Sequence, residues 1–221
     1  MGKILKENIS DIRGKLLSKK STERRSSAKK IGAYLLKEME DDLYLAYLEE
    51  KKDPRTWETQ CAMIKSLGKL TSKKIIPELE YIIQDNKSDD SITIEAALAY
   101  VRVTKEQKND VSSIIPLLKM GKLSILNGAI SALVYDGMVP ERTHISEIVD
   151  ILIHREDEIT ELHGGRGVME PRACLLSALM KWVKKEPSIQ YFIERCLNLE
   201  TIKNNAYVIA KFKSNQDIYK E

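Results

Sequence analysis

Glycine and proline are scarce in this chain, with 10 and 6 occurrences among 221 residues. Because these two residues mark turns and interrupt helices, their scarcity argues against long loops and against an extensive sheet. The chain is 43% hydrophobic and 31% charged. The composition is that of a well-folded protein, and it favours an all-α fold.

Cysteine and long apolar runs are also lacking. The three cysteines are odd in number and far apart, with no Cys-x-x-Cys pair, so neither a disulfide framework nor a cysteine zinc motif is expected. No segment approaches the roughly 18 apolar residues of a membrane span, and no apolar run follows the first charged residues as it does in a signal peptide. We therefore expect a cytoplasmic protein that does not contact membranes.

Catalytic motifs are absent as well. The chain contains no Gly-x-Ser-x-Gly, Walker or kinase motif, and no cysteine and histidine have the spacing of a nucleophile and its base. These absences predict a protein that is not an enzyme and needs no cofactor.

What the chain does contain is a repeated small residue in a helical pattern. The spacings between successive copies are 34, 34, 32, 46 and 32 residues, so four of the five fit two-helix repeats and the fifth contains an insertion. Residues four apart share a helix face, so a second small residue four positions later predicts a stripe where a neighbouring helix packs closely. The repeated positions are Ala28, Ala62, Ala96, Gly128, Cys174 and Ala206, and the second small residues are Ser66, Ala132, Ala178 and Ala210.

A proline motif marks the second half of the repeat. Ile75-Ile76-Pro77-Glu78-Leu79 is repeated 39 residues later as Ile114-Ile115-Pro116-Leu117-Leu118. Proline is tolerated in the first turn of a helix, where its missing N–H would be unpaired anyway. Each repeat is therefore predicted to be a long helix, a turn and a shorter helix that begins near a proline.

The Ala-x-x-x-small-Leu-Gly pattern of the first helix and the Ile-Pro-x-Leu opening of the second resemble the HEAT repeat family over roughly residues 20 to 215. The resemblance implies an α-solenoid of about five to six HEAT-like helix pairs wound in a right-handed superhelix. It also implies a binding surface more often than an active site. We expect one domain over residues 1–221, with a basic N-terminal cap at 1–40 and an insertion loop at about 154–171.

The family resemblance places the second helices on the concave face. In the predicted second helices there are 16 acidic residues against 7 lysines and arginines, a difference of −9, so the groove is expected to be acidic. An acidic groove attracts a basic protein or peptide, whereas nucleic-acid binding requires cations near the phosphates. The predicted second helices are 41–52, 72–86, 110–120, 143–162 and 188–200.

The predicted partner-binding residues combine acids, aromatic side chains and the insertion. Tyrosine and tryptophan are favoured at interfaces, although the early tyrosines also fit helix packing. The Gly-rich turn after residue 163 could hold an anion, and a metal site on His154, Glu158 and His163 is a weaker alternative. The partner-binding set is Tyr44, Glu49, Trp57, Glu78, Tyr81, Glu147, Asp150, His154, His163 and Arg166.

Two functions remain open from the sequence. The leading one is a non-catalytic binder, such as an inhibitor or immunity protein that neutralises a basic nuclease toxin through an acidic groove. The alternative is a nucleic-acid-binding protein similar to the HEAT-like DNA glycosylases. Its basis is the basic cap, in which 11 lysines and arginines outnumber 5 acids and which includes Arg24 and Arg25.

Overall fold

The computed structural model describes residues 2–164 and 170–203, with side chains described for 9–164, 170–200 and 202. These residues form α-helices joined by turns, some of them short 3₁₀ turns, and they contain no β-strand. The predicted all-α fold is therefore confirmed. The chain divides into two compact units: unit 1 holds residues 1–85 and 91–104, and unit 2 holds residues 86–90 and 105–221.

Unit 1 contains six helices whose bounds follow the predicted repeat. Pro77 lies in the first turn of its helix, as the proline motif predicts, and Pro54 opens a 3₁₀ turn. The helices are α1 (Gly2–Leu16), α2 (Ser21–Tyr34), α3 (Glu40–Glu50), α4 (Trp57–Lys69), α5 (Ile76–Asp85) and α6 (Ser91–Thr104).

The first helices of unit 1 stack directly on one another. The most extensive packing in this unit joins α2 to α4 and α4 to α6, while α3 packs on α4 and α5 on α6. The core between them consists of aliphatic side chains from every helix, with Met63, Ile64 and Leu67 of α4 fully buried at its centre. Burial of this aliphatic surface is what drives the helices together.

The predicted small-residue stripe lies at these stacking contacts. Ala28, Ala62 and Ala96 are buried, and the Ser66 hydroxyl donates a 2.8 Å hydrogen bond to the carbonyl of Ala28 on the neighbouring helix. A hydroxyl reaches a backbone carbonyl of another helix only when the two axes approach closely, which small side chains permit. Gly32 belongs to the same stripe, since a Cβ placed there would lie 2.5 Å from the Ser66 oxygen.

Unit 2 contains seven helices in its described part. Its first helices, α8 and α11, pack most extensively against each other; Gly128, Ala132 and Ala178 are buried in them and Cys174 is half-buried. The repeat residue Ala206 and the paired Ala210 lie outside the described residues. The helices are α7 (Ile114–Met120), α8 (Leu123–Tyr135), α9 (Arg142–His154), α10 (Glu156–His163), α11 (Pro171–Trp182), α12 (Gln190–Asn198) and α13 (Glu200–Lys203).

The predicted second helix 143–162 and the predicted insertion loop 154–171 both need correction. Residues 143–162 belong to two helices, α9 and α10, which meet at Arg155. Much of the insertion is therefore helical, because α10 occupies Glu156–His163. The break has a local cause: Glu156, Asp157 and Glu158 form an acidic first turn, which is stabilised at a helix N-terminus.

Candidate functional site

A groove in unit 2 runs along the polar face of α9. Its volume is about 870 Å³, within the range of pockets that hold a ligand or a few side chains of a partner. The α9 residues that line it are spaced by one, three or four positions, so they form one continuous helix face. The lining residues are Lys119, Arg142, Thr143, Ser146, Glu147, Asp150, Ile151, His154, Arg155, Glu186 and Ser188.

The amphipathic sequence of α9 positions this face. Ile145, Ile148, Val149 and Leu152 are buried, so the opposite side of the helix, which carries the polar residues, is left to line the groove. Burial of the aliphatic side fixes the rotation of α9 about its own axis. The rotation in turn decides which polar residues reach the groove.

Two ion pairs join α9 to the walls of the groove. On one side the Lys119 ammonium of α7 lies 3.0 Å from the Glu147 carboxylate. On the other side Arg142 pairs with Glu186, which lies in the turn before α12. Both cations therefore have an internal carboxylate partner.

Glu186 is the most buried acid of the groove, with 2% of its surface exposed. Its carboxylate accepts hydrogen bonds from the Ser188 hydroxyl and from Arg142, and it caps the 3₁₀ turn by accepting from the Ser188 backbone N–H at 3.4 Å. The hydrogen bond from Ser188 and that from Arg142 hold the pKa of Glu186 below its ordinary value. Glu186 is thus ionised and fully engaged inside the protein.

Arg155 is also engaged within unit 2. Its guanidinium donates to the carbonyls of Leu118 and Gly121 at the C-terminal end of α7, the latter at 2.9 Å, and to Glu158 of α10 at 2.7 Å. The last carbonyls of a helix have no partner within the helix, and a cation there satisfies them and offsets the helix dipole. Arg155 therefore fastens the α9–α10 junction to α7.

Asp150 differs from the other charged residues of the groove. It is exposed, and among the residues that the structure describes its carboxylate makes no hydrogen bond or ion pair. One turn later, the Nδ1 atom of His154 lies 2.7 Å from the backbone oxygen of Asp150. The groove therefore presents one carboxylate that is available for a ligand, beside an exposed imidazole.

The predicted excess of acid is not concentrated in this groove. Three acids, Glu147, Asp150 and Glu186, face three permanent cations, Lys119, Arg142 and Arg155. Four of the acids counted on the predicted helix 143–162 lie on α10, where Glu156 pairs with Arg195 of α12 and Glu158 with Arg155. The local charge that remains available after pairing is the single carboxylate of Asp150.

Three of the predicted binding residues meet in the groove: Glu147, Asp150 and His154. The sequence did not reveal the other walls of the groove, which are formed by Lys119, Arg142, Glu186 and Ser188. The pairing of Lys119 with Glu147 has a sequence signal, since the two charges are 28 residues apart and the ion pairs between helices of unit 1 span 26 to 33 residues. The Arg142–Glu186 pair spans the insertion, and its separation of 44 residues follows no repeat spacing.

Five predicted residues lie in unit 1. Tyr44 is half-buried against the core, and Glu78 pairs with Lys51 at 2.6 Å. Glu49 is exposed and pairs with Lys52 of its own helix end at 2.7 Å, while Trp57 and Tyr81 are exposed by 47% and 74%. Ion pairs also join neighbouring second helices of this unit, because Asp41 of α3 pairs with Lys74 in the turn before α5.

The predicted contact of His163 with a partner does not agree with its structure. His163 is buried, with 5% of its surface exposed, so it is not a surface contact for a partner. Arg166 lies outside the described residues. Arg172, which flanks the predicted anion-binding turn, is buried and donates a 2.6 Å hydrogen bond to Glu170, the N-cap of α11. Within the described residues no group of three or more histidine, cysteine or acidic side chains is arranged to hold a metal ion.

Arg24 and Arg25 of the basic cap are used inside unit 1. Arg24 forms two hydrogen bonds with the buried carboxylate of Glu50, one of them 2.8 Å long, and a third with the carbonyl of Ser18. Arg25 pairs with Glu58 on α4. Both guanidinium groups therefore serve the packing of α2 against its neighbours.

Comparisons with protein-family models, curated proteins and solved structures find no significant match to this chain. Among the described residues, no helix combines the length and the apolar character that crossing a membrane requires. The function must therefore be argued from the geometry of the groove.

Proposed function

We propose that this chain is a non-catalytic helical-repeat protein, HEAT-like in architecture, that binds a basic segment of a partner protein in the α9 groove. The observation that carries the proposal is the position of Asp150. Its carboxylate is exposed in a groove of about 870 Å³ and has no partner among the described residues, while Lys119 and Arg142 already have theirs. A ligand cation therefore gains an acceptor without breaking an internal pair.

The energetics favour a cation over an anion in this position. An anion would have to separate Arg142 from Glu186 or Lys119 from Glu147 and would leave a carboxylate without its cation. Leaving a charge uncompensated is costly, especially for Glu186 because it is buried. A lysine or arginine side chain of a ligand can bind Asp150 without separating either of these ion pairs.

The biological role that suits this binding mode is inhibition of a basic protein, such as the neutralisation of a nuclease toxin by an immunity protein in the cytoplasm. A toxin surface that binds nucleic acid is itself rich in lysine and arginine, because it must neutralise phosphates. A carboxylate-bearing groove competes for the same cations. Complementary charge also accelerates encounter between the two proteins.

The nucleic-acid alternative receives less support from the structure. Arg24 and Arg25, its best candidates, are paired with Glu50 and Glu58. Phosphate binding by these arginines would require both pairs to separate. We therefore retain the basic-partner hypothesis.

Fluorescence anisotropy with a labelled ten-residue peptide of alternating arginine and glycine tests the proposal. Wild-type protein should bind it at low salt, and Asp150→Asn should weaken binding about two- to fivefold, as expected for loss of one exposed charge pair. Asp157→Asn is the matched control, because Asp157 is an exposed aspartate on α10 outside the groove. Equal effects of the two substitutions would show general charge attraction, and no binding at all would exclude the proposal.

A further inference from the structure

We propose that His154 is a second acceptor for the bound basic side chain, and that together with Asp150 it makes the groove selective for arginine over lysine. The inference rests on the proposed function and specifies the residue that the groove recognises. Its starting observation is the 2.7 Å contact between Nδ1 of His154 and the backbone oxygen of Asp150. A carbonyl oxygen can only accept, so Nδ1 carries the proton and donates.

The Nδ1 contact fixes the chemistry of the other ring nitrogen. In a neutral imidazole one nitrogen is a donor and the other an acceptor, so Nε2 of His154 carries the lone pair. Nδ1 is occupied by the backbone, whereas the exposed ring of His154 lines the groove. The acceptor that the ring can offer to a ligand is therefore Nε2.

Asp150 and His154 are one helical turn apart on the face of α9 that lines the groove. Side chains at positions i and i+4 have their Cβ atoms about 6 Å apart, so two acceptors lie side by side. A guanidinium presents five N–H donors in a fixed planar fork and can reach two such acceptors at once. The compact ammonium of lysine has no comparable fork, and this difference is the basis of the selectivity.

The test measures binding of two ten-residue peptides by anisotropy, one with arginine and one with lysine at the same positions. Wild-type protein should prefer the arginine peptide about fivefold. His154→Ala should bind the arginine peptide more weakly and lose the preference. His154→Gln should retain both the affinity and the preference, because its amide oxygen is also an acceptor.

His144→Ala is the matched control, since His144 is an exposed histidine on the same helix that does not line the groove. This variant should keep the arginine preference. Binding of both peptides to wild-type protein with equal affinity would overturn the role of His154 and leave the proposed function intact. If neither peptide binds wild-type protein, the proposed function itself fails.

Discussion

Gly68 of α4 lies directly against the backbone of Ala99 on α6. A Cβ atom placed on Gly68 would be 2.8 Å from the Cβ and 2.9 Å from the Cα of Ala99, closer than carbon atoms approach in folded proteins. The contact therefore sets the distance between two successive first helices of unit 1. Gly32 has the same relation to Ser66 one repeat earlier, with 2.9 Å to the Ser66 Cα.

Gly68→Ala should destabilise the protein by about 1–3 kcal/mol, because the opposing atoms belong to Ala99 and its backbone, which cannot rotate away. Chemical denaturation gives the free energy of unfolding. Gly14→Ala is the control, since nothing lies within 4 Å of its added Cβ and alanine favours a helix by about 0.5–1 kcal/mol. Equal stability of the Gly68 variant and wild type would contradict the close helix contact.

Arg24→Met should lower the free energy of unfolding by about 2–3 kcal/mol. It leaves Glu50, whose side chain is 2% exposed, as a buried charge without its cation. Lys29→Met, an exposed change on the same helix, should have little effect. A stable Arg24 variant would mean that the pair contributes little and would return Arg24 to consideration as a phosphate contact.

Leu35→Gly should stabilise the protein by about 0.5–1 kcal/mol, because glycine adopts positive φ without strain. Leu35 follows α2 at a φ of 52° and is 60% exposed, so little packing is lost. Gly137→Ala tests the same effect in reverse after α8, since Gly137 has a φ of 58° and an open space around it. Thermal unfolding should move the two variants in opposite directions; a lower midpoint for Leu35→Gly would indicate that the leucine makes a stabilising contact.

Glu186→Gln should lower the stability of the protein at pH 7. The difference in stability between this variant and wild type should become smaller as the pH falls. The pKa of Glu186 is lowered in the folded protein by Ser188 and Arg142, so its contribution is present above the pKa of the unfolded chain and is lost as pH falls through the folded value. Thermal midpoints between pH 7 and pH 3 measure this, with Glu161→Gln on α10 as an exposed control. A constant difference across the interval would exclude the ionised carboxylate as the stabilising species.

The repeat pattern could be predicted from the sequence because it depends on local chemistry. Ala28, Ala62 and Ala96 predicted a close-packed helix face, and the same residues are buried where α2, α4 and α6 stack. Pro77 marked the start of α5 for an equally local reason, since the first turn is the part of a helix that tolerates proline. The continuous right-handed superhelix remains a prediction.

The residues of the groove could be predicted from the sequence only in part. Glu147, Asp150 and His154 follow from helical spacing, because residues three and four apart share a face. The charges of these residues did not reveal which carboxylate is available to a ligand, because Lys119, 28 residues away, pairs with Glu147. Likewise Arg24 looked like part of a basic surface and is instead the partner of Glu50.

By itself the sequence determined the repeated helix pairs of unit 1, their turns and the small-residue faces on which they stack, because periodicity and steric size act over a few residues. Only the tertiary structure decided which charges neutralise one another and which are left for a ligand. Ion pairing depends on distances of a few ångströms between residues far apart in the chain, as between Arg142 and Glu186. For this reason Asp150 is distinguished from the other acids by its surroundings in the fold and not by its position in the sequence.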